Sequence, residues 1–262
     1  MKSLKNVKKN PLDVVKMGVN KKSFKFRKIG AFLLAGIVIF VAVCGIYLGT
    51  YYHADITAIE QFTIESTAAV HEAPNGNLIW KPENASAGLI FYPGGKVEHT
   101  AYIPLMEALS SRGILCVLVE MPFRLAVFDI NAAEGIQDQY PEIEDWYIGG
   151  HSLGGAMAAS YLAGCVDSYE GLLLLGSYST EDFSSTDLSV LSIYGSEDTV
   201  LNREKYEECR KNLPTDYQEL VIEGGCHAYF GMYGPQKGDG TPSITNEEQL
   251  QITADAVTEM IH

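Results

Sequence analysis

Ser152, Asp198 and His227 are the side chains of this 262-residue chain whose types, order and flanks could carry out covalent acyl transfer. Ser152 lies in Gly150-His151-Ser152-Leu153-Gly154, after the apolar run Trp146-Tyr147-Ile148-Gly149 and before the small residues Gly155, Ala156, Ala158 and Ala159. Gly-x-Ser-x-Gly between a strand and a helix is the sequence form of a nucleophile elbow, which exposes a serine hydroxyl on a strained turn. Gly150 and Gly154 flank the serine where a Cβ would collide with tightly folded backbone. The N–H of Leu153, at the start of the expected helix, points at the same reacting centre.

A serine hydroxyl is a poor nucleophile until a base removes its proton, and the base needs an acid to orient it. Two histidines follow Ser152, and His262 ends the chain, so His227 is the candidate base. It stands in Glu223-Gly224-Gly225-Cys226-His227, just beyond the strand-like Tyr217–Ile222. Asp198 is the candidate acid, because Gly195-Ser196-Glu197-Asp198-Thr199-Val200 reads as a turn closing the strand Ser189–Tyr194. Glu197, Asp182 and Asp187 also lie between serine and histidine and compete for the role.

These residues need a frame. Gly88–Tyr92, Ile114–Glu120, Trp146–Gly149, Leu172–Leu175 and Ser189–Tyr194 are short apolar runs bounded by turn residues, the pattern of strands buried on both faces of a parallel sheet. Ser66–Val70 and Leu78–Trp80 read as a leading hairpin, and Tyr102–Arg112 and Glu204–Asn212 as helices. Thr245 and Glu248 form a capping box for a last helix with Leu250, Ala254, Val257 and Ile261 on one face. Phe123, Leu125, Val127 and Phe128, in the long connection Pro122–Tyr140, read as core in preference to the alternative, the lining of an acyl pocket. The connection Ser177–Leu188 is short, so the site should be open rather than lidded.

In these residues the chain resembles the α/β-hydrolase superfamily, and within it the dienelactone-hydrolase-like esterases, from about residue 65 to 262. The resemblance is carried by Tyr92-Pro93-Gly94-Gly95-Lys96-Val97, Gly150-His151-Ser152-Leu153-Gly154, Gly195-Ser196-Glu197-Asp198, Cys226-His227 and the loop Phe230–Gly240. It implies an α/β fold with a mostly parallel central sheet, helices on both faces and no large cap domain. Dienelactone hydrolases themselves carry a cysteine where this chain has Ser152. The resemblance also implies a second oxyanion donor after the third strand, the N–H of Gly95 or Lys96, beside that of Leu153. The activity so implied is hydrolysis of a small carboxylic ester through an acyl-enzyme, with no metal and no organic cofactor. A serine peptidase or amidase on the same fold and a non-catalytic binding scaffold are the alternatives. No His-x-x-x-His, Cys-x-x-Cys or Walker-type sequence occurs.

The N-terminus carries a separate message. Residues 29–49 hold about twenty uncharged, mostly apolar residues, the span of a bilayer core. Residues 1–28 carry ten basic side chains and one acid, Asp13. Positive flanks stay cytoplasmic, so an uncleaved signal anchor is expected, with residues 1–28 inside, residues 50–64 as a stalk, and a catalytic domain over 65–262 outside the cytoplasm. The whole chain has 19 basic and 33 acidic residues, net −14, which leaves nine and thirty-two, net −23, after residue 28. Such a domain has no basic stripe for nucleic acid, so its expected partners are a small-molecule ester and the lipid bilayer through residues 29–49. Five cysteines do not make a disulfide scaffold, although Cys209 and Cys226 could pair.

Overall fold

The computed structural model describes residues 32–62 and 70–262. The basic tail, residues 29–31 of the expected span and the Ser66 end of the leading hairpin lie outside the described residues. The described residues fall into two units, divided between Thr50 and Tyr51. In the first, helix α1 (Phe32–Gly49) has a mean hydropathy of 2.6 and no side chain buried against protein. It is long and apolar enough to cross a membrane.

The second unit is built on one eight-stranded sheet of order β1-β2-β4-β3-β5-β6-β7-β8. The hairpin β1 (Val70–Glu72) and β2 (Leu78–Trp80) is antiparallel, and β2 runs antiparallel to β4 (Ile114–Leu118). The remaining pairs are parallel: β4 with β3 (Ala87–Tyr92), then β5 (Trp146–His151), β6 (Gly171–Leu175), β7 (Ser189–Gly195) and β8 (Gln218–Ile222). Every residue of β3, β4, β5 and β6 is buried. Apolar runs without alternation arise this way, since helices cover both faces.

The two faces split the strands by residue parity. Leu89 and Phe91 of β3 and Leu173 and Leu175 of β6 pack in one core with α3 (Ile103–Ser110) and α6 (Asn246–Ile261). Ile90, Tyr92, Leu172 and Leu174 face the other, against Ala158, Ala159 and Leu162 of α4 (Leu153–Leu162). Alanines there let α4 lie close to the sheet. The capping box is present, with Thr245 accepting from the Glu248 N–H and Glu248 from the Thr245 N–H. Leu250, Ala254 and Val257 of α6 are fully buried.

Two expectations are corrected. Residues 51–62, expected in a stalk, are part of the domain. The Tyr52 N–H donates to Lys96 O (2.7 Å), Tyr52 O accepts from the Glu98 N–H (2.9 Å), and Phe62 is buried in the core after the short helix α2 (Ile56–Gln61). A segment whose backbone bonds are made by the domain and whose Phe is buried does not hang free. Of the four apolar residues assigned to the core in the 122–140 connection, Leu125 is buried, but Phe123, Val127 and Phe128 are exposed. The reason is local: Phe123 and Arg124 take positive φ of 54° and 59°, so no strand or helix period sorts their side chains inward. All five cysteines are free thiols, so Cys209 and Cys226 are not paired.

Candidate active site

The chain leaves β3 toward β4 on one side and returns to β5 on the other, so the order reverses at β3. Open α/β sheets place sites at the carboxyl ends of the strands where this happens. Register pairs Tyr92 with Gly150, which brings the Pro93–Lys96 loop beside the turn at Ser152.

Ser152 occupies φ 53°, ψ −124° between β5 and α4. A non-glycine residue held there costs about 1–3 kcal/mol and persists only where its surroundings determine it. They do so here: the Ser152 N–H donates to Leu175 O (2.8 Å), and its carbonyl accepts from the Ser177 hydroxyl (2.7 Å). A Cβ on Gly150 would lie 2.4 Å from Tyr92 O and 2.8 Å from Gly154 C, and one on Gly154 would lie 2.3 Å from Pro93 O. The elbow closes only with glycine at both places.

Asp198 Oδ2 lies 2.8 Å from His227 Nδ1, with both side chains buried. The other carboxylate oxygen, Oδ1, accepts the N–H groups of Val200 (2.9 Å) and Leu201 (2.8 Å), which fixes the plane of the acid. A carboxylate only accepts, so the imidazole proton sits on Nδ1 and Nε2 is left as an acceptor. That Nε2 is buried, has no hydrogen-bond partner among the described residues, and belongs to a residue lining the same cavity as Ser152. The bond from the serine is not formed in this structure; such bonds commonly tighten only around substrate.

The cavity holds about 390 Å³. Leu153 and Met157 of α4, with Val200 and Leu201, give it an apolar side; Ser177, Tyr178, Thr180 and Asn202 give it a polar one. Among the described residues, no lysine, arginine, aspartate or glutamate lines it.

The structure separates the two sequence candidates for the second oxyanion donor. The Lys96 N–H donates to Arg124 O (2.7 Å), so that group is engaged. The Gly95 and Leu153 N–H groups have no acceptor among the described residues. Their residues touch: a Cβ on Gly95 would meet Leu153 Cδ2 at 2.8 Å. Glu197, Asp182 and Asp187 make no bond to His227.

Three supports of the site have no motif of their own. Asp239 accepts the N–H groups of His227 (3.2 Å) and Ala228 (2.8 Å), holding the histidine loop from behind. Gln249, buried on α6, accepts from the Cys226 N–H (2.9 Å) and donates to Cys226 O (2.8 Å). Tyr102 bonds His151, the neighbour of the serine. In the sequence Gln249 precedes the apolar stripe that begins at Leu250, and no local pattern marks the partners that Gln249, Asp239 and Tyr102 meet. The Cys226 thiol beside His227 is pushed up to about 12, chiefly by burial, so it stays protonated and is not a nucleophile.

Residues 88–251 match the model of the alpha/beta hydrolase family, and the chain belongs to that family. Solved structures agree on the fold. A predicted CIB-like hydrolase from Thermoplasma acidophilum is 16% identical, with a TM-score of 0.53 over 73% of this chain and 99% of its own. A dienelactone hydrolase from Anabaena variabilis is 14% identical, TM-score 0.52, over 74% and 94%. Est1E from Butyrivibrio proteoclasticus is 15% identical, TM-score 0.54, over 74% and 97%. A search among curated proteins finds no significant match.

Proposed function

We propose that this hydrolase-family chain is a serine esterase that cleaves small, uncharged carboxylic esters through an acyl-enzyme. The observation that carries this reading is the buried His227–Asp198 pair, whose Nε2 has no partner among the described residues and whose histidine lines one cavity with a serine on a strained elbow. In the first step Nε2 takes the Ser152 proton as Oγ attacks the ester carbonyl, and the proton then passes to the leaving alcohol. The tetrahedral oxygen accepts from the N–H groups of Gly95 and Leu153; one such donor contributes about 3–4 kcal/mol to the barrier reduction. Water activated by the same Nε2 then releases the acid, so the catalyst ends as it began. Asp198 orients the imidazole and steadies the imidazolium that forms.

The uncharged lining supports the substrate class, because a carboxylate entering the cavity would lose its water without meeting a cation. Helix α1, apolar all round and uncovered by protein, supports attachment to a bilayer as a single-pass anchor. The ten basic residues before it support a cytoplasmic N-terminus and an extracytoplasmic catalytic domain. Turnover of matched ester and amide substrates by the full chain in detergent micelles tests the reaction. Ester hydrolysis that is lost in Ser152→Ala is expected; amide hydrolysis of equal efficiency would favour a peptidase. Protease protection of residues 1–28 in sealed vesicles tests the topology.

A further inference from the structure

Tyr102 and His151 are buried polar residues that the acyl-transfer scheme does not use. The Gly94 N–H donates to Tyr102 Oη (3.0 Å), and Tyr102 Oη lies 2.7 Å from His151 Nδ1. Tyr102 Oη accepts from Gly94 and has one proton of its own to give, and that proton is satisfied when His151 Nδ1 accepts it; the neutral ring then carries its proton on Nε2, which has no partner among the described residues. Burial and the neighbouring His227 hold His151 well below the ordinary histidine range, so the ring is neutral, as this arrangement requires. Its ring centre lies 4.5 Å from that of His227 and 5.5 Å from that of Phe230. The chain is packed down onto this network: a Cβ on Gly94 would come within 2.7 Å of both His151 Nδ1 and Tyr102 Oη.

What the network grips is the peptide that presents the Gly95 N–H. The N–H of Gly94 is held by Tyr102 and its carbonyl accepts from the Val97 N–H (3.2 Å). In a planar trans peptide the Gly95 N–H points opposite to the Gly94 carbonyl, so holding Gly94 at both ends sets the direction of that N–H. We infer that Tyr102 and His151 are positioning residues that clamp the Gly94–Gly95 peptide against the nucleophile strand, so that the Gly95 N–H is aimed at the oxyanion before substrate arrives. The inference rests on the serine-esterase reading and adds to it a link between the loop after β3 and the residue preceding the nucleophile. Neither residue touches the reacting atoms.

The test uses the full chain in detergent micelles, a neutral ester substrate and a trifluoromethyl ketone that forms a tetrahedral adduct with the serine. Tyr102→Phe keeps the buried ring and removes only the hydroxyl. It should lower kcat roughly 10- to 100-fold, less than the 10²–10³ that follows outright loss of a donor, with KM little changed. Affinity for the ketone should fall in proportion to kcat/KM, because the clamp acts on the tetrahedral state. His151→Leu should do the same, whereas His151→Asn, which keeps an acceptor near Nδ1, should recover part of the loss. The double variant Tyr102→Phe, His151→Leu should be no worse than either single one, as for two members of one chain of bonds. Wild-type kcat and ketone affinity in Tyr102→Phe would overturn the clamp, and so would a loss shared equally by substrate and ketone binding. If Tyr102→Phe does not fold, the contrast between His151→Leu and His151→Asn decides, equal activity of the two being the adverse result. A wild-type chain that hydrolyses no ester and is not inhibited by the ketone overturns both this inference and the esterase reading.

Discussion

His227 and Asp198 meet at 2.8 Å in a site from which both side chains are withdrawn from water, and the acid is itself fixed by the N–H groups of Val200 and Leu201. The pair therefore comes with its tautomer and orientation already set. Asp198→Asn keeps an oxygen for the two N–H groups but removes the charge that holds the proton on Nδ1. We expect kcat to fall about 10³–10⁴-fold with KM little changed and the fold intact, read by steady-state kinetics beside circular dichroism. A loss below about tenfold would mean that Asp198 does not orient the base.

The elbow should not tolerate a methyl group. In Gly150→Ala the new Cβ would lie 2.4 Å from Tyr92 O, and its neighbours there are backbone that cannot swing aside. Overpacking a core costs about 1–3 kcal/mol, and a clash with backbone belongs at or above the top of that range. Urea unfolding followed by fluorescence should show the loss, together with loss of ester turnover.

Asp239 should matter to activity although it is remote from the reacting atoms. Asp239→Ala leaves the N–H groups of His227 and Ala228 without their acceptors, at a cost of about 1–3 kcal/mol for a buried donor. Both stability and kcat should fall, and Asp239→Asn, with one acceptor left, should fall less.

Stability should decline as the pH drops below about 6.5. His151 is held well below the ordinary 6.5 by burial and by His227, and His99 is lowered too, mainly by burial. The unfolded chain takes up these protons below pH 6.5 while the folded chain does not, so acid favours unfolding in that window. The melting temperature should therefore fall between pH 7 and pH 5, and His151→Asn should show a shallower slope. Equal slopes in the two proteins would remove His151 from the explanation.

The uncharged cavity predicts discrimination by charge. A neutral ester should be turned over at least about tenfold more efficiently, in kcat/KM, than a half-ester of similar length that carries a free carboxylate. Equal values would mean that the acid group stays in solvent or finds a cation outside the cavity.

The positions that sequence made legible are those whose role is written in a few contiguous residues. Gly150–Gly154, Gly195–Asp198 and Cys226–His227 each sit in a turn directly after an apolar strand, and a turn carries its chemistry locally. Tyr102 and His151 are 49 residues apart, and Asp239 reaches His227 across 12, so their bonds exist only after the sheet has brought the loops together. The choice between Gly95 and Lys96 was open for the same reason. The Lys96 N–H is taken up by the Arg124 carbonyl, from an irregular connection whose positive φ angles no hydrophobic period could reveal, which leaves Gly95 as the candidate. The start of the domain at Tyr51 was hidden too, because the backbone bonds of Tyr52 leave no mark on composition.

A fluorophosphonate probe applied to the full chain in detergent micelles would show whether Ser152 is a nucleophile activated by His227. The adduct would be located by mass spectrometry, with Ser152→Ala and His227→Ala as companions. One adduct is expected, on Ser152, absent in the first variant and formed far more slowly in the second. A folded wild-type chain that takes up no probe, or labelling that persists in Ser152→Ala, would contradict it.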